Sequence, residues 1–306
     1  MLKSLYLVSI AGVIVSLACV EAAQAQGVSL VTYVSGKGSD SGSCGDPSSP
    51  CRSFQFAVNR TPREGEVKAL DPADYGPVII SKPISITGVD GAGIHVPEPL
   101  GAPPGTRIAA ITITRASDSR INLTRLVLQG NGISSQNVGA DGIVADSGMV
   151  TITHCTIRNF FGTGIIVQES QPSFLISHTL VSDNVYGISV YQLQAGTAQG
   201  VLDHVWLDRN RGTGLGVYAF GAAGGQTHVT VVESAATNNG SPLFGSFGFA
   251  VQGNSTLTLA HSTTTGSDVG IQANSPAALI SYGDNYIKGD VKDIDGDVTV
   301  TRVGTQ

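Results

Sequence analysis

One recurring position along the chain carries polar side chains, most of them histidines. Its members follow one another in this order: Arg125, His154, His178, His204, Glu233, His261 and Tyr282. Each stands between apolar positions, so we expect these side chains to point outward, about 4.8 Å apart on stacked units. Neighbouring imidazoles could bind a metal ion or act as a general base on a glycan. The alternative is a polar surface turn repeated by duplication, which we favour because carboxylates that could orient a ligand set are lacking nearby in sequence.

The candidate catalytic carboxylates are Asp183 and Asp208, with His204 as a third candidate. The two aspartates are one residue out of register on adjacent units, so we expect them within several ångströms of each other, the scale of a glycosidase pair. Arg209 and Arg211 could neutralise a uronate or simply pair with the aspartates. Because the polygalacturonase-type signature is absent, a surface ion-pair cluster is the favoured interpretation.

The candidate ligand-binding residues are aromatic. Tyr191 and Tyr218 occupy the same position on consecutive units, and Trp206, the only tryptophan, stands at an outward position beside Leu180. Flat rings in a row suit stacking against sugar faces. The alternative is that the long loop after Tyr218 folds over these rings.

A cluster of aspartates near the C-terminus resembles a calcium loop. Asp290, Asp293, Asp295 and Asp297 surround Gly296, but this order differs from the EF-hand loop, where glycine is the sixth residue. We therefore expect a solvated turn. The sequence predicts no metal and no cofactor, and calcium has no support beyond this cluster.

Two repeated patterns indicate the elements that must position these side chains. Glycine followed by a large apolar residue recurs at intervals of 22 to 34 residues: Gly142-Ile143, Gly164-Ile165, Gly187-Ile188, Gly214-Leu215, Gly248-Phe249 and Gly270-Ile271. A second apolar column precedes this motif: Leu123, Ile152, Ile176, Leu202, Val231, Leu259 and Ile280. Period-2 alternation around both columns indicates strands, and no amphipathic helix separates them. These features predict a coiled parallel β-solenoid rather than leucine-rich or βαβ repeats.

Asparagines recur at one turn of this repeat and could pass hydrogen bonds between stacked units: Asn131, Asn184, Asn210 and Asn239. Phe160 and Ser267 interrupt the asparagine column.

The N-terminal residues 1–25 have the features of a signal peptide. Lys3 precedes an apolar stretch from residue 5 to residue 20, and Ala23-Gln24-Ala25 is a small-residue cleavage signal. Export to an oxidising compartment would favour a disulfide between Cys44 and Cys51 across a turn-rich loop. Cys155 has no partner in the mature chain, so we expect a buried, unreactive thiol.

The mature chain divides into two parts. Residues 26–62 contain a strand, the cysteine loop and a short helix that Ser53 begins and Thr61-Pro62 ends. This helix would cover the open end of the solenoid, which residues 63–306 form.

Composition excludes several classes of protein. Only 13% of the 306 residues are charged, whereas 41% are hydrophobic, so the bulk of the chain is not disordered. The net charge is −6 and no basic run exists, which disfavours nucleic-acid binding. No segment after the signal peptide is apolar enough to predict a membrane span.

Five features of the sequence belong together: residues 34–40, the pair Cys44 and Cys51, residues 70–78, residues 151–160 and residues 281–285. Together they resemble exported bacterial right-handed parallel β-helix repeat proteins of the pectin-lyase-like class. The resemblance implies an all-β, single-stranded right-handed parallel β-helix, whereas the shared motifs are structural and imply no particular activity. The wider class includes polysaccharide lyases, hydrolases and epimerases, an analogy at the level of the fold.

We therefore expect a secreted or periplasmic solenoid that binds polysaccharide or another surface without catalysis. The first alternative is a carbohydrate-active enzyme, such as a lyase, hydrolase or epimerase, acting on uronate-containing polysaccharide. A purely structural envelope protein is the second alternative.

Overall fold

The computed structural model describes residues 29–97, 107–114, 120–132, 139–146, 148–168, 172–220, 224–241 and 247–304. The predicted signal peptide lies outside these residues. Within them, no helix is long and apolar enough to cross a bilayer. The elements are β1 (Val31–Val34), α1 (Phe54–Arg60), β2 (Gly65–Ala69), β3 (Val78–Ile80), β4 (Ile84–Thr87), β5 (Gly93–His95), β6 (Arg107–Ile113), β7 (Arg120–Thr124), β8 (Val127–Gln129), β9 (Gly139–Ala145), β10 (Met149–Thr153), β11 (Thr156–Arg158), β12 (Thr163–Gln168), β13 (Ser173–Ser182), β14 (Tyr186–Gln192), β15 (Thr197–Asp208), β16 (Leu215–Ala219), β17 (Gln226–Val232), β18 (Ala235–Thr237), β19 (Phe247–Gly253), β20 (Ser255–Ala260), β21 (Thr263–Thr265), β22 (Val269–Asn274), β23 (Ala278–Ser281), β24 (Tyr286–Ile287), β25 (Lys292–Gly296) and β26 (Val300–Arg302).

The strands form two sheets in which every pair is parallel. Sheet 2 contains β3, β6, β9, β12, β14, β16, β19, β22 and β25, and sheet 1 contains the other strands. Sheet 1 consists of two ladders, and the long strands β13 and β15 run through both of them. One coil thus contributes a strand to the first ladder, a strand to the second ladder and a strand to sheet 2. This architecture confirms the predicted parallel β-solenoid.

The core is built from the inward columns that period-2 alternation predicts. Leu123, Ile152, Ile176, Leu202 and Val231 pair in consecutive register and are almost completely buried. Leu259 continues this column beside Val231, and the coil after Leu259 differs from the expected register.

In that coil, Ser281 rather than Ile280 pairs with Leu259, and Leu279 is the buried residue. Alternation could not decide this register, because Leu279 and Ile280 are adjacent and both are apolar.

A non-glycine residue with a left-handed backbone connects the two ladders of sheet 1 in six successive coils. These residues have φ angles between 46° and 55°, and they are Arg125, His154, His178, His204, Glu233 and His261. The backbone bend directs each side chain outward, as the sequence predicts. Gly283, with φ 87°, follows His261 in this column, so assigning Tyr282 to the column was wrong. Histidine recurs here partly because it tolerates the left-handed region better than most side chains.

A ladder of buried amides runs between the second ladder and sheet 2. Asn184 Nδ2 donates to Asn210 Oδ1 over 3.1 Å, and Asn210 Nδ2 donates to Asn239 Oδ1 over 2.9 Å. The same oxygens accept the backbone N–H of Asn184 and Asn210. Asn131 is exposed and takes no part, so including it in the ladder was wrong.

The short helix α1 packs on the N-terminal end of the solenoid. Its N-cap Ser53 accepts a hydrogen bond from the backbone N–H of Phe56, and its apolar face buries Phe54, Ala57 and Val58. β1 pairs with β2, so the strand before the helix belongs to sheet 1. The helix therefore covers apolar side chains that an open coil end would expose.

The predicted disulfide joins Cys44 and Cys51, whose Cα atoms lie 5.3 Å apart. Cys155 is a free, buried thiol, and burial raises its pKa to about 11. Its neighbours are apolar side chains and backbone carbonyls, which do not favour a reactive thiolate.

Free-thiol counting should therefore give different results before and after reduction. We expect the native mature protein to react slowly, because the Cys155 thiol is buried and protonated. Denaturation without reductant should release one thiol, and reduction should release three, since the disulfide contributes two more. Three reactive thiols without reductant would rule out the bridge.

Candidate functional site

The structure places the candidate residues on two different faces. His204, Trp206 and Asp208 lie on β15 of sheet 1, where they point outward. Tyr191 and Tyr218 lie on β14 and β16 of sheet 2. The aromatic candidates are therefore not one continuous row.

Three aromatic rings form a cluster on the outer face of sheet 2. Tyr191 and Tyr218 are in register on neighbouring strands, with ring centroids 5.3 Å apart and planes 22° apart. Phe220 extends the cluster, with its centroid 5.6 Å from that of Tyr218 and its plane 21° away. We call Tyr191, Tyr218 and Phe220 the aromatic cluster. Sequence reasoning missed Phe220, although its position two residues after Tyr218 was a usable signal, because alternate strand residues share a face.

Gly216 allows the central ring to lie along its strand. A Cβ atom at this position would lie 2.5 Å from Cζ of Tyr218, which is closer than such atoms approach in proteins. The neighbours of Gly216 on the adjacent strands, Ser189 and Ala250, are also small. Burial raises the pKa of Tyr218 to about 12. Phe220, by contrast, is 56% exposed and presents its ring to solvent.

Trp206 stands apart from this cluster. It is 51% exposed on the second ladder of sheet 1, in register with Leu180 and Ala235 on the adjacent coils.

The histidines of the left-handed column stack as the sequence predicts. The ring centroids of His154 and His178 are 4.8 Å apart with planes 12° apart, and those of His178 and His204 are 4.8 Å apart with planes 4° apart. The expectation that carboxylates are lacking was wrong for His204. Its Nδ1 lies 2.7 Å from Asp203 Oδ1, and its Nε2 lies 2.7 Å from Glu233 Oε2.

These two contacts determine what His204 can do. The hydrogen bond to Asp203 is the main cause that raises the pKa of His204, and the charge of Glu233 adds to it. Each ring nitrogen of His204 faces a carboxylate oxygen, so the contacts favour a donor N–H on both nitrogens and leave neither nitrogen free to accept. In this geometry His204 can act neither as a general base nor as a metal ligand.

Asp183 and Asp208 lie close together, but one arginine holds both. Arg209 Nε donates to Asp183 Oδ1 over 3.0 Å, and its Nη1 pairs with Asp208 Oδ2. Asp208 Oδ1 also accepts from the hydroxyl of Thr237 over 2.7 Å. Arg209 is in register with Asp183 one coil away, which explains why a single guanidinium reaches both carboxylates. Both carboxyl groups are thus engaged by side chains of the protein, unlike a glycosidase pair that flanks a scissile bond.

Arg211 faces elsewhere. Its Nη2 donates to the backbone carbonyl of Gly132 over 2.9 Å, and its guanidinium lies 6.0 Å from the ring centroid of Phe161.

The C-terminal aspartates each have separate partners. Asp290 accepts from the Ser267 backbone and the Thr264 hydroxyl, both over 2.8 Å. Asp293 pairs with Lys288, Asp295 pairs with Lys292, and Asp297 accepts from the backbone N–H of Ser275. Residues 292–296 form β25 rather than the expected turn. Among the residues that the structure describes, no group of three or more His, Cys, Asp or Glu side chains is arranged to hold a metal ion.

Comparisons with known proteins agree with this architecture. A family model described as "Right handed beta helix region" matches residues 109–287. The crystal structure of pectate lyase Pel9A is similar over 90% of this chain and 78% of that chain, with a TM-score of 0.53 and 14% sequence identity. At that identity the likeness concerns the fold alone. A search of curated proteins found no match. Because the family model covers more than half of the sequence, the chain belongs to the right-handed β-helix family.

Proposed function

We propose that the protein is an exported, non-catalytic polysaccharide-binding solenoid that contacts its ligand through the aromatic cluster on sheet 2. The observation that carries this proposal is the row of near-parallel rings ending in the exposed Phe220. Aromatic rings bind sugars through their flat apolar faces. A rigid parallel sheet fixes these rings in place, so little side-chain entropy is lost on binding.

The charged residues support binding rather than acid–base catalysis. Arg209 pairs with both Asp183 and Asp208, and both ring nitrogens of His204 face carboxylates. A uronate-active enzyme that used these three candidates would first have to break those pairs. The disulfide and the predicted signal peptide agree with a secreted or periplasmic location. The net charge of −6 argues against a nucleic-acid partner.

The aromatic cluster makes the proposal testable by substitution. Tyr191→Ala and Phe220→Ala should each weaken binding to a polysaccharide found on a glycan array by about 1 kcal/mol, the usual worth of an aromatic contact. Gly216→Ala should also weaken binding, because the added methyl displaces the Tyr218 ring without removing it. Isothermal titration calorimetry measures the affinities, and thermal melting shows whether the variants stay folded.

A matched control comes from sheet 1. Tyr286 is 61% exposed on β24, so Tyr286→Ala removes an exposed ring from the other sheet and should leave the affinity unchanged. Loss of binding in Trp206→Ala, with no loss in Phe220→Ala, would place the ligand on sheet 1 and contradict the proposal. Polymer cleavage by the native protein that disappears in Asp208→Asn would favour the enzyme instead.

A further inference from the structure

The stacked imidazoles of His154, His178 and His204 form a preorganised array, here named the histidine stack. Their φ angles are 55°, 49° and 54°, so the backbone of each coil fixes where the side chain leaves the surface. Parallel strands on both sides keep the coils in register, and the ring centroids are 4.8 Å apart throughout. The result is a regular row of titratable groups on sheet 1, a different face from the aromatic cluster.

The charges around the histidine stack are asymmetric. Arg125 precedes it in the left-handed column, whereas Glu233 follows it and Asp203 adjoins His204. The other outward neighbours on the two ladders are uncharged: Thr153, Ser177, Thr156, Leu180 and Trp206.

Three further titratable groups lie nearby and add no negative charge to the middle of the row. Cys155 is inward and protonated, with its pKa raised to about 11. Arg158 donates to Gln129 on the preceding coil, and His261 lies beyond Glu233 and pairs with Asp284. Among these neighbours, negative charge is therefore confined to the His204 end of the row.

We propose that His154 and His178 of the histidine stack bind the carboxylates of an acidic polysaccharide and do so only when their imidazoles are protonated. A linear polyuronate carries one carboxylate on each sugar ring, so it can follow a row of cations. The inference rests on the proposed function only for the choice of ligand class.

Protonation and binding must reinforce each other. Neighbouring imidazolium ions repel, and a bound carboxylate relieves this repulsion, so binding takes up protons. Affinity therefore rises as the pH falls through the range in which histidine gains its charge, between about pH 8 and pH 5. Asp203 and Glu233 already neutralise His204, so the added charge that attracts the ligand falls on His154 and His178.

The test compares oligogalacturonate with its fully methyl-esterified form by isothermal titration calorimetry, at about pH 5.5 and about pH 8. We expect the acid to bind about tenfold more tightly at the lower pH, because a few exposed ion pairs contribute about that much. The ester should bind with the same affinity at both pH values. The double variant His154→Asn/His178→Asn should lose the pH dependence. Asparagine is chosen because it tolerates left-handed φ angles.

Two further variants distinguish charge from structure. His261→Asn makes the same change in the same column outside the stack, and it should keep the full pH dependence. His154→Arg/His178→Arg should bind the acid tightly at both pH values, because arginine stays charged, and Arg125 shows that this backbone position accepts it.

Several results would overturn the proposal. The first is that the acid does not bind at about pH 5.5, and the second is that the ester gains as much affinity as the acid at that pH. The third is that the increase in affinity at the lower pH survives in the double asparagine variant. Failure of the proposed function looks different: Phe220→Ala would then leave the affinities for both polymers unchanged, while the pH dependence through the histidine stack persists.

Discussion

Ile176→Asp is expected to lower the free energy of unfolding by at least about 4 kcal/mol, enough to threaten folding altogether. The side chain of Ile176 is completely buried and packs in register between Ile152 and Leu202. An aspartate there loses the apolar contacts and places a carboxyl group in the solenoid interior. Desolvation would raise its pKa in the folded state, so the loss should grow as the pH rises above the range of an ordinary carboxyl group.

Urea unfolding of the variant measures this loss. Leu175→Asp is the matched control, because Leu175 is the preceding residue, points outward and is exposed. A surface substitution of this kind usually changes stability by about 0.5 kcal/mol or less. Equal losses in the two variants would mean that the register of β13 is wrong.

Asn210→Ala should be the second most destabilising change, lowering the free energy of unfolding by about 3 kcal/mol. Asn210 is completely buried, and its Nδ2 donates to Val181 O and to Asn239 Oδ1. Its Oδ1 accepts from the backbone and side-chain N–H groups of Asn184. Alanine would leave several of these groups without partners in the interior, and each buried unsatisfied group costs about 1 to 3 kcal/mol.

The exposed Asn131 offers the control for the amide ladder. Asn131→Ala removes the same chemical group from a side chain that faces solvent, so its unfolding midpoint in urea should stay at the native value. The ladder would not stabilise the coils if Asn131→Ala shifted the midpoint as much as Asn210→Ala does. The same conclusion would follow if Asn210→Ala left the midpoint unchanged.

Much of the fold could be read from the sequence, because a solenoid repeats local patterns. Alternation around Ile152, Ile176 and Leu202 predicts which residues point inward, since each coil stacks on the previous one with the same period. The same stacking predicts that Tyr191 lies beside Tyr218. The short helix after Ser53 and the disulfide loop before it also follow from local chemistry.

The candidate site was less predictable, because its properties depend on contacts between coils. Asp183 and Asp208 were expected to be close, but only the structure shows that Arg209 holds both. The repeat column already places Glu233 one coil after His204, but only the structure shows that Glu233 Oε2 contacts the Nε2 atom of His204.

The sequence by itself determined the coil, its inward columns and the outward position of the histidines, since these depend on the side-chain period of a strand. Only the tertiary structure decided that Tyr191 and Trp206 lie on different sheets, because the turn between the ladder and sheet 2 redirects the chain. It also decided that Leu279 rather than Ile280 is buried, since either residue satisfies alternation and packing against the preceding coil selects one.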